Sequence, residues 1–161
     1  MKKHPWKITG IVAVASLICL LGMATAMAFD REHLDILLTT GSCPGCDLRE
    51  AALGKANLAG TNLAGANLSK ANLKRANLAG GNLSGAKLFE ANLISINLSG
   101  TNLNDAYLVG ALLNYADLSG ANLTGANLAG TLLSGATWTD GRMCALGSIG
   151  KCKKVSPTYF R

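Results

Sequence analysis

The sequence predicts an all-β fold, a four-sided β-helix preceded by a short helix, and three observations carry that prediction. From Leu48 to Leu133 a leucine recurs at every fifth residue without a miss, 18 centres in all, and Trp138 and Met143 hold the next two places. Two residues before each centre stands a small residue, most often Ala (Ala51, Ala56, Ala66, Ala71, Ala76), and one before it most often Asn (Asn57, Asn62, Asn67, Asn72). Two residues after the centre, Glu50, Lys55, Lys70, Arg75, Glu90 and Ser95 alternate in pairs with Gly60, Gly65, Gly80, Gly85 and then Gly100, a pattern of period twenty.

A period of five suits neither regular structure. On an α-helix each Leu would stand about 140° round from the last, and no apolar stripe would form. On a continuous strand an odd period sends successive Leu side chains to opposite faces. The chain must therefore turn once per repeat, with the centre and the small residue two before it pointing inward and the other three positions facing out or making the corner. Because the corner pattern repeats every twenty residues, four repeats make one coil and the cross-section is square. Glycine at ten of the 18 corners suits a turn that needs a positive φ.

The elements follow in chain order. Lys2, Lys3 and Lys7 precede an apolar run of 16 residues, Ile8 to Met23, and Ala24-Thr25-Ala26-Met27-Ala28 supplies small residues for cleavage. That is the grammar of a signal peptide, with cleavage expected after Ala28 and, as the second choice, after Ala26. The run falls short of the roughly 20 residues that span a bilayer, so an uncleaved membrane anchor is the lesser reading. Cys19 lies within this run, and Leu17 and Ile18 before it do not suit a lipid-attachment site. Residues 29–45 hold the predicted cap: Asp30 to Thr40 reads as a helix with Asp30 as N-cap, Leu34, Leu37 and Leu38 on one face, and Gly41 as terminator. The rod occupies 46–141. At its end Trp138 takes a leucine place and Asp140-Gly141 turns the chain out of the repeat, leaving 142–161 as the C-terminal cap and basic tail.

The Ala-Asn-Leu-x-x unit resembles the motif of the pentapeptide-repeat family, Ala-(Asp/Asn)-Leu-x-x, and the likeness covers Cys46 to about Gly141. The resemblance implies a right-handed quadrilateral β-helix. At about 4.5 coils and roughly 4.8 Å per coil, the rod would be on the order of 22 Å long. The best-known activity in that family is DNA mimicry, in which an acidic rod protects DNA gyrase. From Cys46 to Ala136 this chain carries six basic and five acidic residues, so its rod lacks the negative field such mimicry needs, and export would separate it from gyrase. The formal charge of +6 falls to +3 without Lys2, Lys3 and Lys7, too little to argue for nucleic acid.

Four cysteines remain after export: Cys43 and Cys46 around Pro44-Gly45, and Cys144 with Cys152. An even count in an oxidising compartment favours disulfides. Bridged Cα atoms lie about 4.4 to 6.8 Å apart, so pairs across the rod are excluded and each bridge must be local. A redox Cys-x-x-Cys and a four-cysteine zinc site are the rival readings. The first wants a helix N-terminus where Cys46 begins a coil, and the second needs both rod ends together.

Chemistry is sparse. His33 reads as a solvated residue of the cap helix, and Glu90, Asp105 and Asp117 fall on different sides or coils. No nucleophile and base, phosphate loop, metal signature or cofactor motif is present, so an enzyme is not expected. The outward surface is uneven, however. The Leu58 and Leu63 sides present Asn, Ala, Ser and Gly, whereas the Leu48 and Leu53 sides collect Lys70, Lys74, Arg75, Lys87, Phe89, Ile94, Tyr107, Val109, Leu112, Tyr115 and Leu132. An exposed apolar patch wants a partner or a cover. The partner would be another protein or a second copy of the chain; the cover would be the tail, through Leu146, Ile149, Val155, Tyr159 or Phe160. The function expected is therefore an interaction scaffold, periplasmic or secreted. The alternative is an envelope-binding module whose basic tail, Arg142, Lys151, Lys153, Lys154 and Arg161, meets anionic polymer or lipid. The mature protein is expected to start at Phe29. Its intact mass after export checks this, and a mass that retains residues 1–28 would make the segment an anchor instead.

Overall fold

The structure, a computed structural model of the chain, describes residues 30–155. The leader with its Ala28 site and the tail residues Tyr159, Phe160 and Arg161 lie outside the described residues.

One repeat shows how a side of five residues satisfies its backbone. Around Leu68, Asn67 donates its N–H down one coil to Cys46 (2.8 Å), while Leu68 and Lys70 donate up one coil to Lys87 (2.7 Å) and Phe89 (2.8 Å). Ala66 closes the preceding corner by donating to the Leu63 carbonyl (3.0 Å). That leaves Ser69, whose N–H points outward and is taken by the Asn67 side-chain oxygen (3.2 Å). The Asn of the motif is thus required by bookkeeping: it receives the one donor the ladder cannot use. Asp does the same work at Asp117, which accepts from Ser119 N–H at 2.9 Å.

Parallel pairing runs at an offset of twenty residues, from Ser42 with Asn62 to Asp117 with Thr137, as the corner period predicts. Each side is too short for a regular strand and gives one bridge per coil. Every corner residue from Glu50 to Gly135 has a positive φ, whether or not it is glycine, and the eight non-glycine corners lie between 54° and 62°. The corner conformation is therefore fixed by the fold, and glycine only lowers its cost.

Inside, the leucines stack in four columns; Leu63, Leu68, Leu73 and Leu103 are fully buried. Thr61, Thr101 and Thr131 occupy small inward positions and donate their hydroxyls to the carbonyls of Leu58 (2.8 Å), Leu78 (2.8 Å) and Leu108 (2.7 Å). Gly81 sits between the first two, where a Cβ would come within 3.1 Å of two backbone oxygens.

At the first coil the register begins one side before Cys46. Cys43 takes a leucine place, buried, with its N–H on the Asn62 carbonyl (2.8 Å), and Gly45 (φ 70°) makes the corner. The Cys43–Cys46 disulfide spans that corner with Cα atoms 5.5 Å apart. Before it lies helix α1, Arg31–Thr40, started by the Asp30 carboxylate on Glu32 N–H (2.9 Å) and ended by Gly41 in the left-handed region. Leu37 is buried in the core, and Leu34 packs against it.

At the far end the leucine register stops at Trp138. Met143, expected in the next centre, is 62% exposed, and Cys144 is buried in its stead. The cause is a change of direction. After Asp140-Gly141 the chain runs back antiparallel, pairing Met143 with Thr137 and Ile149 with Leu132, so the inward and outward alternation restarts. The Cys144–Cys152 disulfide, with Cα atoms 4.9 Å apart, closes this segment.

Leu98 is buried, whereas Asn97 faces out and needs only an acceptor oxygen for Ser99. Leu98→Asp should unfold the protein, since a buried unpaired carboxylate costs several kcal/mol of the roughly 5–15 available, while Asn97→Asp should melt like the parent. Thermal unfolding compares them, and equal melting temperatures would overturn the inward assignment. At Gly100 (φ 63°) a Cβ would have no atom within 4 Å. Gly100→Val should still lose about 1–2 kcal/mol from backbone strain alone, measurable by denaturant titration.

Candidate functional site

The Asn column divides the rod. On the Leu58 and Leu63 sides it is nearly unbroken, and its amides also link coil to coil: Asn77 donates to Asn57 (3.2 Å), Asn82 to Asn62 (3.2 Å) and Asn102 to Asn82 (3.3 Å). On the Leu48 and Leu53 sides it lapses at Ala52, Lys87, Tyr107, Leu112 and Leu132. There the N–H groups of Gly54, Phe89, Val109, Asn114 and Ser134 have no partner among the described residues. Local order has been given up on the two sides that the sequence singles out.

Two districts result. Over the first coils the surface is cationic, with Lys70, Lys74, Arg75 and Lys87 all exposed and Lys70 near Glu90 (3.9 Å). Lys55 joins them at the corner stacked beneath Arg75, a member the sequence reading left out although its twenty-residue spacing from Arg75 was visible. Further along, Phe89 stacks on Tyr107 with ring centroids 5.8 Å apart. Ile94, Val109 and Leu112 are half-buried beside them, and Tyr107 and Tyr115 stand 45% and 64% exposed. The Tyr115 ring lies over the next corner, where a Cβ on Gly135 would come 2.7 Å from it.

The described tail does not cover this surface. Leu133 and Gly135 donate to Ser148 (2.9 Å) and Cys144 (3.1 Å), and Gly150 donates to Thr131 (2.9 Å), so the tail lies along the end of the last coil. Leu146, Ile149 and Val155 are themselves exposed there. Reversal at Gly141 aims the chain across the rod end, away from the side walls. Of the tail cations, Arg142 pairs with Asp140 (3.4 Å) and Lys153 donates to the Gly147 carbonyl (3.0 Å), while Lys151 and Lys154 are exposed.

His33 is more than a solvated residue. Its Nδ1 accepts the Asp47 N–H (3.2 Å), and Asp30 N–H reaches the Asp47 carbonyl (3.3 Å), so α1 occupies the edge of the first coil. Only an imidazole with a free Nδ1 lone pair can do this. Arg49 clamps the Asp47 carboxylate through Nε (2.8 Å) and Nη2 (2.7 Å), and those hydrogen bonds hold the carboxyl below its ordinary range. All four described cysteines are in disulfides, and among the described residues no three His, Cys, Asp or Glu side chains are grouped to hold a metal ion.

A family model of pentapeptide repeats matches residues 45–80, 66–105 and 101–137. The chain belongs to the pentapeptide-repeat family. Members of this family form right-handed quadrilateral β-helices and are generally non-catalytic. Among solved members, this pentapeptide-repeat chain is similar to Rfr23 from the cyanobacterium Cyanothece 51142. The two are 35% identical over 65% of this chain and 92% of that one, with a TM-score of 0.54. It is also similar to alr5209 of Nostoc PCC 7120 (40% identity, 53% and 66% coverage, TM-score 0.43). QnrB1, a plasmid-mediated fluoroquinolone resistance protein, is 21% identical over 74% of this chain and 54% of its own, with a TM-score of 0.46. A comparison with curated proteins gave no match.

Proposed function

We propose that this pentapeptide-repeat protein is a non-catalytic, exported interaction scaffold that holds a protein partner on its Leu48 and Leu53 sides, in the periplasm or cell envelope. The observation that carries the reading is the pair Tyr107 and Tyr115, left exposed on a rigid ladder beside the stacked Phe89. Aromatic side chains anchored on an ordered scaffold lose little entropy on binding, and patches of this kind mark interaction surfaces. Export is supported by the leader ending at Ala28 and by cysteines that pair locally; α1 acts as the lid of the first coil. A rod with nearly balanced charge supports neither nucleic acid nor gyrase as the partner. A second reading, in which the tail meets anionic envelope polymer, is favoured by the exposed Lys151 and Lys154.

Replacing Tyr107 and Tyr115 together by Ser should abolish association while shifting stability by less than about 1 kcal/mol, because exposed side chains add little to the leucine core. Photocrosslinking from position 109 in intact cells reads the partner, or a second copy of the chain. A double variant that still crosslinks as the parent does would refute the assignment, and retention on membranes that salt removes would favour the tail instead.

A further inference from the structure

The lapse at Ala52 has a chemical outcome of its own. In a regular repeat the residue here is Asn, whose oxygen would take the Gly54 N–H and could also receive the amide of Asn72 one coil above, as Asn62 takes the Ala64 N–H (3.3 Å) and receives the amide of Asn82 (3.2 Å). Alanine removes the one acceptor that would serve both donors. Asn72 Oδ1 is held by Lys74 N–H (3.2 Å), which leaves its Nδ2 as the free end of the amide, 3.8 Å from where a Gly54 Cβ would stand. Two hydrogen-bond donors, Gly54 N–H and Asn72 Nδ2, are thus without a partner among the described residues on one small patch.

That patch is the floor of a shallow cleft of about 260 Å³ lined by Gly54, Lys55, Asn72, Lys74 and Arg75. Three cations surround two neutral donors, and the absent side chain of Gly54 leaves the floor open. Among the described residues no carboxylate stands within ion-pair distance of Lys55, Lys74 or Arg75, whereas Lys70, Arg49 and Arg142 each have one. Uncompensated like charges gathered around oriented N–H groups are the composition of an oxyanion site.

We propose that this cleft binds a phosphate group. Three positive charges and several donors match a divalent, tetrahedral anion with many acceptor oxygens better than a carboxylate with one charge and two. The Gly54 and Asn72 donors fix the anion against the wall, Arg75 and Lys74 contact its outer oxygens, and Lys55 closes the lower edge. The site stands apart from the aromatic district and does not depend on the protein-binding reading.

Ala52→Asn tests this without altering any charge. It restores the residue of the regular repeat at an exposed position, so the fold is kept, and its side-chain oxygen competes for both donors. The full exported chain is titrated with inorganic pyrophosphate at low salt and followed by amide NMR. Gly54 N–H and the Asn72 side-chain amide should shift, Ala52→Asn should weaken binding at least about tenfold, because its oxygen competes with the charged ligand for both donors, and Lys74→Ser with Arg75→Ser should abolish it. Pyrophosphate affinity unchanged in Ala52→Asn, or shifts centred on Lys151 to Lys154, would overturn the site. Vesicles of phosphatidylglycerol, set against phosphatidylcholine, identify the source: retention lost in Ala52→Asn assigns a lipid headgroup, and pyrophosphate binding without retention assigns a soluble phosphate.

Discussion

A chain that turns at every fifth residue never makes a strand long enough to stand alone, so each side of this rod is held by the coil above and the coil below. Three of the five backbone N–H groups in the Leu68 repeat leave their own coil, and one of the remaining two depends on the side chain of Asn67. Stacking at an offset of twenty is therefore the interaction on which the rest depends. It holds the corner residues in the left-handed region, lines up the leucines, and makes each surface column a vertical row of equivalent positions. Stability becomes a sum of neighbouring coils, which is why the two ends need separate solutions.

Those two solutions differ. At the start, α1 brings Leu37 into the core and offers His33 and Asp30 to the open edge around Asp47, while Cys43–Cys46 ties the first corner. At the finish, the chain turns back and pairs antiparallel with the last coil, using groups of Thr131, Leu133, Gly135 and Ala136 that a further parallel coil would otherwise occupy. An exposed ladder edge is a template for pairing with other chains, and the reversal removes part of it.

The rod was legible in the sequence because its determinants are strictly periodic: Leu at the centre, a small residue two before it, and paired corners. Helix α1 was legible for another reason, since Asp30 and Gly41 are local signals that need no knowledge of the surroundings. What escaped were features where tertiary context overrides the period. Met143 keeps the spacing of five but not the direction of the chain, so its inward place passes to Cys144. His33 carries no signal of its own, because its partner is a backbone N–H made available only by the coil edge. The uneven surface could be read from the sequence as a list of basic and apolar residues. Its physical basis, the break of the Asn column at Ala52, Lys87, Tyr107, Leu112 and Leu132, emerges only when the Asn side chains, Asn62 and Asn67 among them, are seen to take the N–H two residues on.

Equivalence between coils also sets how such a molecule can change length. Inserting a single repeat would leave every inward position filled by Leu or a small residue and every corner competent, so the core would accept it. Above the insertion, however, each outward column would move by a quarter turn, and with the insertion between them Tyr107 would no longer stand over Lys87, nor Tyr115 over Arg75. The relation between the aromatic and cationic districts is thus a phase, preserved only by additions of whole coils. The unit that evolution can duplicate silently here is twenty residues long, even though the unit that folds is five.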